Sequence, residues 1–451
     1  DLGDNIKCGN SLIGPDFYDQ GALFPDEAML RINAFDWQAE FRDVMEAGGF
    51  DAVVGNPPWL MAGYHLKDNL DYLIKGYRSA RGKFDLYYLF VELGNRLLSN
   101  RGYFGMIVPN KVFHTKAASE LRKMLAESKS VSQIVDFGDS QLFAGATNYS
   151  CILILTPTTI NSIEYVFSDV KFQNTITYEL PLSVLSESVW HFEDMNTRDL
   201  FEKMKVGSNP LSILTDRFGT GTQSGADRVL MLDAAAADQS RLEREMLHPV
   251  FRGRDVRRYT LSSEPKYLVF PYKIEDGEFK ILSERELDKF PKVFDLFKSN
   301  KKKLEERIWF GKSGAELSGK WYGLMYLDSF KAFASPHLLT PSLSDRSNFA
   351  VGNGNLFATG TAGVTSVILR DNVAESLYYI LGILNSRLLS FYATSHSPVF
   401  SGGYYKFSAP YLKNLPIRTI DPTNPTDKAN HDRMVALVER MLELHKRHAA
   451  E

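Results

Sequence analysis

Along the first third of the chain, apolar runs of strand length alternate with stretches that repeat at helical spacing. The run from Phe50 to Gly55 is short, apolar and β-branched at Val53 and Val54, which predicts a buried strand. The Asn56-Pro57 step stops it, because a residue before proline is pushed out of helical geometry and proline donates no ladder bond. Upstream, Ile6 to Leu12 predicts another short strand ending in a polar loop, and the region from Phe24 to Gly48 has helical spacing around Phe35, Trp37, Phe41, Val44 and Met45. Downstream, Tyr64 to Ser79 is polar and glycine-punctuated, a loop or broken helix, whereas Asp85 to Asn100 is apolar on most faces, a buried helix. Gly102 turns that helix into a second buried strand, Tyr103 to Pro109. Ala117 to Ser128 predicts a helix, and Ile134 to Phe137 and Cys151 to Leu155 predict two further strands. The alternation implies a mainly parallel, doubly wound α/β sheet, whose ligands sit beyond the carboxyl ends of the strands. The Asn56 turn falls at such an end.

From Trp190 to Lys205 the pattern becomes a charged helical connector. A mixed α/β region follows, with strands at Tyr267 to Phe270 and Val364 to Leu369 and helices over Leu287 to Lys303 and Glu375 to Thr394, closing at Pro410 to Ile417. Asp421 to Asp427 reads as a linker. In the last stretch, His431 to Ala449, Met434, Leu437, Val438, Met441 and Leu444 share one helical face, so the segment 431–449 needs a helix partner.

Composition narrows the class. At 451 residues the chain is expected to hold two or three domains, and 44% hydrophobic with 24% charged residues is a globular balance. No apolar run approaches the ~18 residues of a membrane span, and two cysteines, Cys8 and Cys151, make neither a disulfide framework nor a zinc cluster. A cytoplasmic protein with no metal is the expectation. The net charge of −3 hides an asymmetry: residues 205–420 carry 29 Lys and Arg against 22 Asp and Glu, a balance of +7, and the remainder carries −10. That pattern points to an anion-binding module on an acidic body. The chain opens on Asp1 without a signal pattern, which leads to the expectation that it is part of something longer.

Asn56-Pro57-Pro58-Trp59 holds an amide, an accepting carbonyl and a flat ring on a turn stiffened by two prolines, a set suited to a planar, amino-bearing ligand. It resembles the catalytic Asn-Pro-Pro-aromatic motif of S-adenosylmethionine-dependent amino-methyltransferases. The closest resemblance is to the γ-type adenine-N6 DNA methyltransferases, including the methylase halves of type IIG (Eco57I-like) restriction-modification enzymes. Ile6 to Leu12 is similar to the family's cofactor-contacting motif, with Asn10 where an Asp often stands. Asp85 to Phe90 and Gly102 to Asn110 resemble the helix and strand after the catalytic turn, and Leu142 to Gly145 the loop whose Phe stacks on an extruded base. The resemblance implies S-adenosylmethionine as cofactor, held in part by Asn10 and Ser11, and double-stranded DNA as partner. It implies Asn56, Pro57, Pro58 and Trp59 as catalytic residues, with Trp59 and Phe143 clamping a flipped adenine.

Residues 209–417 resemble the target-recognition domain of the same enzymes. Gly-flanked Arg252, Arg254, Arg257 and Arg258, together with Tyr404, Tyr405 and Lys406 after Gly402-Gly403, are the expected DNA contacts, since guanidinium groups suit phosphates and guanine edges. The implied fold is the C-terminal part of a Rossmann-like methyltransferase sheet followed by a mixed α/β target-recognition domain. Its divisions are a catalytic domain at 1–190 without its N-terminal cofactor-binding part, a connector at 191–208, a DNA target-recognition domain at 209–420, and a linker with a helix at 421–451. The glycine loop that would hold the methionine end of the cofactor is absent before Ile6, so this stretch alone is expected to bind cofactor poorly. Phe218-Gly219-Thr220-Gly221-Thr222 is the alternative site for such a loop, in a permuted order. Glu278-Phe279-Lys280 has a nuclease-like spacing but reads as a solvated charge cluster. Two other functions stay open from the residues: a DNA-recognition module without activity, and an amino-methyltransferase acting on RNA or protein.

Overall fold

The structure is a computed structural model and describes residues 5–19, 26–65, 69–143, 149–354, 356–358, 363–400 and 402–448. The chain divides into two units, Asp1–Asp199 and Leu200–Glu451.

In the first unit six strands form one sheet: β1 (Phe50–Gly55), β2 (Leu98–Pro109), β3 (Val131–Asp136), β4 (Ser150–Leu155), β5 (Ser162–Ser168) and β6 (Thr175–Pro181), in the order β1-β2-β4-β3-β5-β6. The pairs β1/β2 and β3/β5 are parallel, while β2/β4, β3/β4 and β5/β6 are antiparallel. The sheet is therefore mixed, not mainly parallel. The cause lies between Asp136 and Ser150, where the sequence has no helical repeat to serve as a crossover, so β4 returns antiparallel beside β3. Because β4 opposes both β2 and β3, the carboxyl ends of β1, β2 and β3 share one sheet edge with the start of β4. Asn56, Asn110 and Phe137 all leave from that edge.

Two expectations about strands change. Val53 is half-buried and Val54 is 84% exposed, because β1 is the edge strand and pairs only with β2 among the described residues. Ile6 to Leu12 is not a strand. It makes a single bridge, Asn10 to Ala34, and the Asn10 side-chain oxygen accepts from the Leu12 amide, which turns the chain where a ladder needs it extended. The region before β1 is a set of short helices, Asp26–Ile32, Trp37–Glu40 and Arg42–Glu46. After the Trp59 turn come Ala62–His65 and Leu70–Gly76.

The helix Leu86–Arg96 buries Leu86, Tyr87, Tyr88, Leu89 and Val91 in the unit's main core, together with Phe104, Val108, Leu121, Leu153 and Trp190. Gly94 allows the close helix–sheet approach: a Cβ there would lie 2.4 Å from the Phe104 ring.

The second unit contains an antiparallel sheet in the order Ala350–Gly352, His337–Pro341, Val364–Leu369 and Thr215–Gly219. Phe218 to Thr222 is thus a strand end and turn of this sheet, leading into the strand Thr222–Gln223 and not directly into the helix that a nucleotide loop requires. Gly221 (φ +78°) sits against the Phe357 carbonyl, where a Cβ would come within 2.3 Å, so its glycine serves packing. Glu278–Ile281 forms a hairpin with Tyr272–Glu275, in which Lys280 pairs with exposed Glu275 and Asp276 at 3.2 and 3.4 Å, the solvated cluster expected. The last helix runs Pro425–His448 and so starts inside the stretch read as a linker. Asn424 caps it, accepting from the Thr426 and Asp427 amides, and proline suits the first helical position. Its face at Met434 and Val438 packs on Gly382 of the helix Leu377–Leu384, within the same unit.

Candidate functional site

The sheet edge in the first unit gathers the catalytic candidates. Asn56 and Pro58 are exposed, Pro57 is buried and Trp59 is half-buried. Among the described residues nothing hydrogen-bonds the Asn56 amide or the Pro57 carbonyl, so both acceptors are open. The segment after Trp59 is fixed to the start of the buried helix: the Leu86 amide donates to the Leu60 carbonyl at 2.8 Å, the Ala62 amide to the Phe84 carbonyl at 3.1 Å, and Met61 bridges Asp85. Asp85 in turn pairs with Lys111 at 2.6 Å, in the short helix Asn110–Phe113 that leaves β2. Asp85 therefore acts as a truss between two strand ends.

Phe143 lies edge-to-face against Trp59, with ring centroids 5.6 Å apart and planes at 72°. The two aromatic side chains meet from separate loops, and Phe143 is 39% exposed. The Phe143 loop is held by a group that the sequence reading did not single out. Buried Asp136, at the end of β3, accepts from Asn110 Nδ2 (3.1 Å), the Gly138 amide (3.0 Å) and the Tyr165 hydroxyl (3.0 Å). Asn110 also donates to the Gly138 carbonyl at 3.0 Å. Burial pushes the Asp136 carboxyl above its usual range, against the opposing pull of its donors. Gly138 adopts φ +56°, and its Cβ would meet the Phe167 ring at 2.8 Å, so the turn leaving Asp136 needs glycine. The signal for this latch in the sequence was Asp136-Phe137-Gly138, a strand ending in Asp and Gly. The remaining residues of the stretch compared with the stacking loop, Ala144 and Gly145, lie outside the described residues.

Asn10 and Ser11 are half-buried on a turn whose backbone is committed: the Asn10 amide donates to Asn33 at 2.6 Å, and the Ser11 carbonyl accepts from Trp37 Nε1 at 3.1 Å. Their side-chain donors, Asn10 Nδ2 and Ser11 Oγ, have no partner among the described residues. That pair fits one polar end of S-adenosylmethionine and not its length.

In the second unit Arg254, Arg257, Arg258 and Tyr404 line one cleft of about 580 Å³. The structure adds Arg346, Asn348 and His445 to that wall, which sequence reasoning missed because 88 or more residues separate them from the arginine run. Arg254 lies 3.9 Å from Asp255 and Arg346 pairs with Asp345, but among the described residues Arg257 hydrogen-bonds only the Gly253 and Val256 carbonyls and Arg258 only the Asn385 carbonyl. Arg258 Nε is buried without a partner. Arg257 and Arg258 sit on the hairpin Val256–Arg257 with Thr260–Leu261, whose turn residue Tyr259 has φ +64° and stacks on His445 at 6.0 Å. Arg252, Tyr405 and Lys406 are half-buried outside this lining: the Arg252 amide donates to Asp255 at 2.8 Å, Tyr405 packs in the core, and Lys406 lies over the Phe400 ring.

Comparison with known proteins assigns both units. Residues 4–143 match the family described as Eco57I restriction-modification methylase, and residues 248–417 the TaqI-like C-terminal specificity domain. The type II restriction enzyme and methyltransferase RM.Eco57I of Escherichia coli is 28% identical over 96% of this chain and 45% of its own length. The type II methyltransferase M.HincII of Haemophilus influenzae is 26% identical over 87% of this chain and 78% of its own. A solved structure of the type IIL restriction-modification enzyme MmeI in complex with DNA shares the fold at a TM-score of 0.61 and 12% identity, over 94% of this chain and 54% of that one. The chain thus spans about half the length of RM.Eco57I and of MmeI. It joins an Eco57I-type restriction-modification methylase domain to a TaqI-like C-terminal specificity domain, and its relatives are type II methyltransferases.

Proposed function

We propose that this chain transfers a methyl group from S-adenosylmethionine to the N6 amino group of an adenine flipped out of duplex DNA, within a restriction-modification or phage-defence system. The observation that carries the reading is the open Asn56 amide beside the Trp59–Phe143 ring pair, at the carboxyl end of β1. An adenine amino nitrogen has its lone pair delocalised into the ring and is a poor nucleophile. The Asn56 side-chain oxygen and the Pro57 carbonyl, accepting its two N–H bonds, favour a more tetrahedral nitrogen and stabilise the positive charge that develops there. Trp59 and Phe143 open around the base and exclude water from its faces. The donor, when bound, supplies an electrophilic methyl group, and Asn10 and Ser11 hold one of its polar ends. The arginine cleft of the second unit binds the DNA backbone and reads base edges. Two unpaired cysteines, exposed Cys8 and buried Cys151, fit a cytoplasmic setting.

The test is methyl transfer by the complete gene product to plasmid DNA, with the modified nucleoside identified by mass spectrometry. Asn56→Ala is expected to lower the rate by about 100-fold or more, the scale of removing one fixed dipole from a charge-stabilising site. Retained activity in that variant, or a product other than N6-methyladenine, overturns the reading.

A further inference from the structure

The second unit carries an exposed aromatic at a place where backbone chemistry disfavours one. The strands Ile308–Trp309 and Lys312–Ser313 form a hairpin closed by Phe310 and Gly311, with φ of +48° and +79°. A two-residue loop with both φ positive is the turn that selects Asn, Asp and Gly, and a bulky aromatic there is disfavoured. Phe310 is nevertheless 88% exposed, and its ring meets the neighbouring half-buried Trp309 ring at 4.9 Å, so little burial offsets its strain. The base of the hairpin is rigid. Buried Arg307, just before it, donates to the carbonyls of Leu304, Ser224 and Trp321, and Ser313 and Glu316 form a reciprocal cap on the helix that follows. A stiff two-stranded ribbon with an aromatic tip is the result.

The surroundings name its occupant. Trp309 packs on Tyr326 at 5.7 Å, and Tyr326 pairs with Gln223 and accepts from the Thr220 hydroxyl at 3.0 Å, just past the end of the strand Thr215–Gly219. That strand and His337–Pro341 both oppose Val364–Leu369, so their carboxyl ends lie at the same end of the sheet. Pro341 lines the arginine cleft. The ribbon and the cleft therefore stand at one end of one sheet, where a single duplex can meet both. Lys312, in the second strand of the ribbon, is exposed and supplies a positive charge two residues from the tip. One ring on a narrow ribbon is too small for a protein interface, but it has the shape of a side chain that enters a base step.

We infer that the hairpin Ile308–Ser313 is a DNA-inserting prong, with the Phe310 ring stacking between neighbouring base pairs of the bound duplex. This rests on the DNA-binding reading above and adds to it a second point of distortion, remote in sequence from the flipped base. The cost of unstacking falls on the DNA, and flexible pyrimidine–purine steps accept it most readily, so Phe310 makes the unit sensitive to base-step identity without a hydrogen bond.

Inserted rings unwind DNA, and a closed plasmid reports this whatever the recognition sequence. Relaxed plasmid is treated with topoisomerase I at saturating concentrations of the whole chain, and its linking number is measured after deproteinisation. The wild type is expected to shift the topoisomer distribution. Phe310→Gly and Phe310→Asn are expected to lose most of that shift while plasmid affinity falls about tenfold. Both residues suit left-handed geometry, so the thermal midpoint stays or rises, and lost unwinding is separable from misfolding. An unchanged shift in Phe310→Gly overturns the prong, as does a dimer that dissolves in that variant while unwinding persists. A chain that binds no plasmid at all overturns the DNA reading beneath it.

Discussion

Trp59 and Phe143 do different work, and their burial separates the two. Trp59 is packed against the main core and its indole N–H is buried without a partner, so truncating it disturbs the fold as well as the site. Phe143 is 39% exposed and touches Trp59 by its edge, so it contributes little to folding. If its role is to cover a flipped base, Phe143→Ala should lower kcat/KM for DNA by roughly 10- to 100-fold, since a base–aromatic stack is worth about 1–3 kcal/mol. The urea midpoint should stay where it is. The same variant should lose the fluorescence rise of 2-aminopurine placed at the target position. A shifted urea midpoint with unchanged kinetics would make Phe143 an ordinary packing residue. The loop beneath it depends on Asp136, whose three donors leave its carboxylate little freedom to move.

At the scale of elements, the fit between the helix Leu86–Arg96 and β2 is the most exacting contact in the first unit. Gly94→Ala places a methyl 2.4 Å from the Phe104 ring, a buried side chain with nowhere to go. Overpacking of this kind should cost about 1–3 kcal/mol, read as a lower urea midpoint for that unit, with the second unit's transition unchanged. That helix and β2 were legible in the sequence because their apolar residues are consecutive and local. Asn56 to Trp59 was legible for a similar reason, as four adjacent residues of distinctive chemistry. What the sequence hid depends on pairing at a distance. The direction of β4 follows from a missing crossover, the exposure of Val54 from its place at the sheet edge, and the failed strand at Ile6 to Leu12 from an Asn10 side chain that closes a turn. The cleft was half legible: Arg254, Arg257 and Arg258 stand together in sequence, whereas Arg346 and His445 reach it only through the fold. The strands Ser162–Ser168 and Thr175–Pro181 carry an alternating burial pattern too interrupted to stand out.

At the scale of the whole molecule two kinds of charge set the working range. The first is a pair of half-buried imidazoles, His114 and His396. Burial, reinforced by Arg122, holds His114 down at about 4 in the first unit, and burial holds His396 at about 4 in the second. A histidine whose folded value lies below its unfolded ~6.5 adds stability above that pH, and the gain is lost as pH falls through 6.5 toward 4, because the unfolded chain takes the proton first. Each shift is worth at most about 3 kcal/mol. His114→Gln should flatten the pH dependence of the first unit's unfolding between about 6.5 and 4 by close to one proton, as read from urea midpoints across that window. A slope equal to the wild type's would place the acid sensitivity elsewhere.

The second kind is the division of net charge. Residues 1–199 carry 17 Lys and Arg against 26 Asp and Glu, a balance of −9, while 200–451 carry 35 against 29, a balance of +6. On the proposed reading, attraction to DNA comes from the basic second unit and not from the acidic first one. Within the second unit, Arg257 and Arg258 line the cleft without a carboxylate partner among the described residues, so on the proposed reading they are the charges left to neutralise phosphate. Each phosphate contact releases about 0.9 of a counterion, so Arg257→Ala should reduce the slope of log affinity against log salt by about 1 and weaken binding to all sequences alike. Arg346→Ala removes a guanidinium already balanced by Asp345 and should change that slope less. Anisotropy titrations of the whole chain against mixed-sequence duplex at a series of salt concentrations distinguish the two. Equal slopes for wild type and Arg257→Ala would mean that the cleft does not hold the DNA backbone, and that the basic excess of the second unit serves solubility rather than recognition.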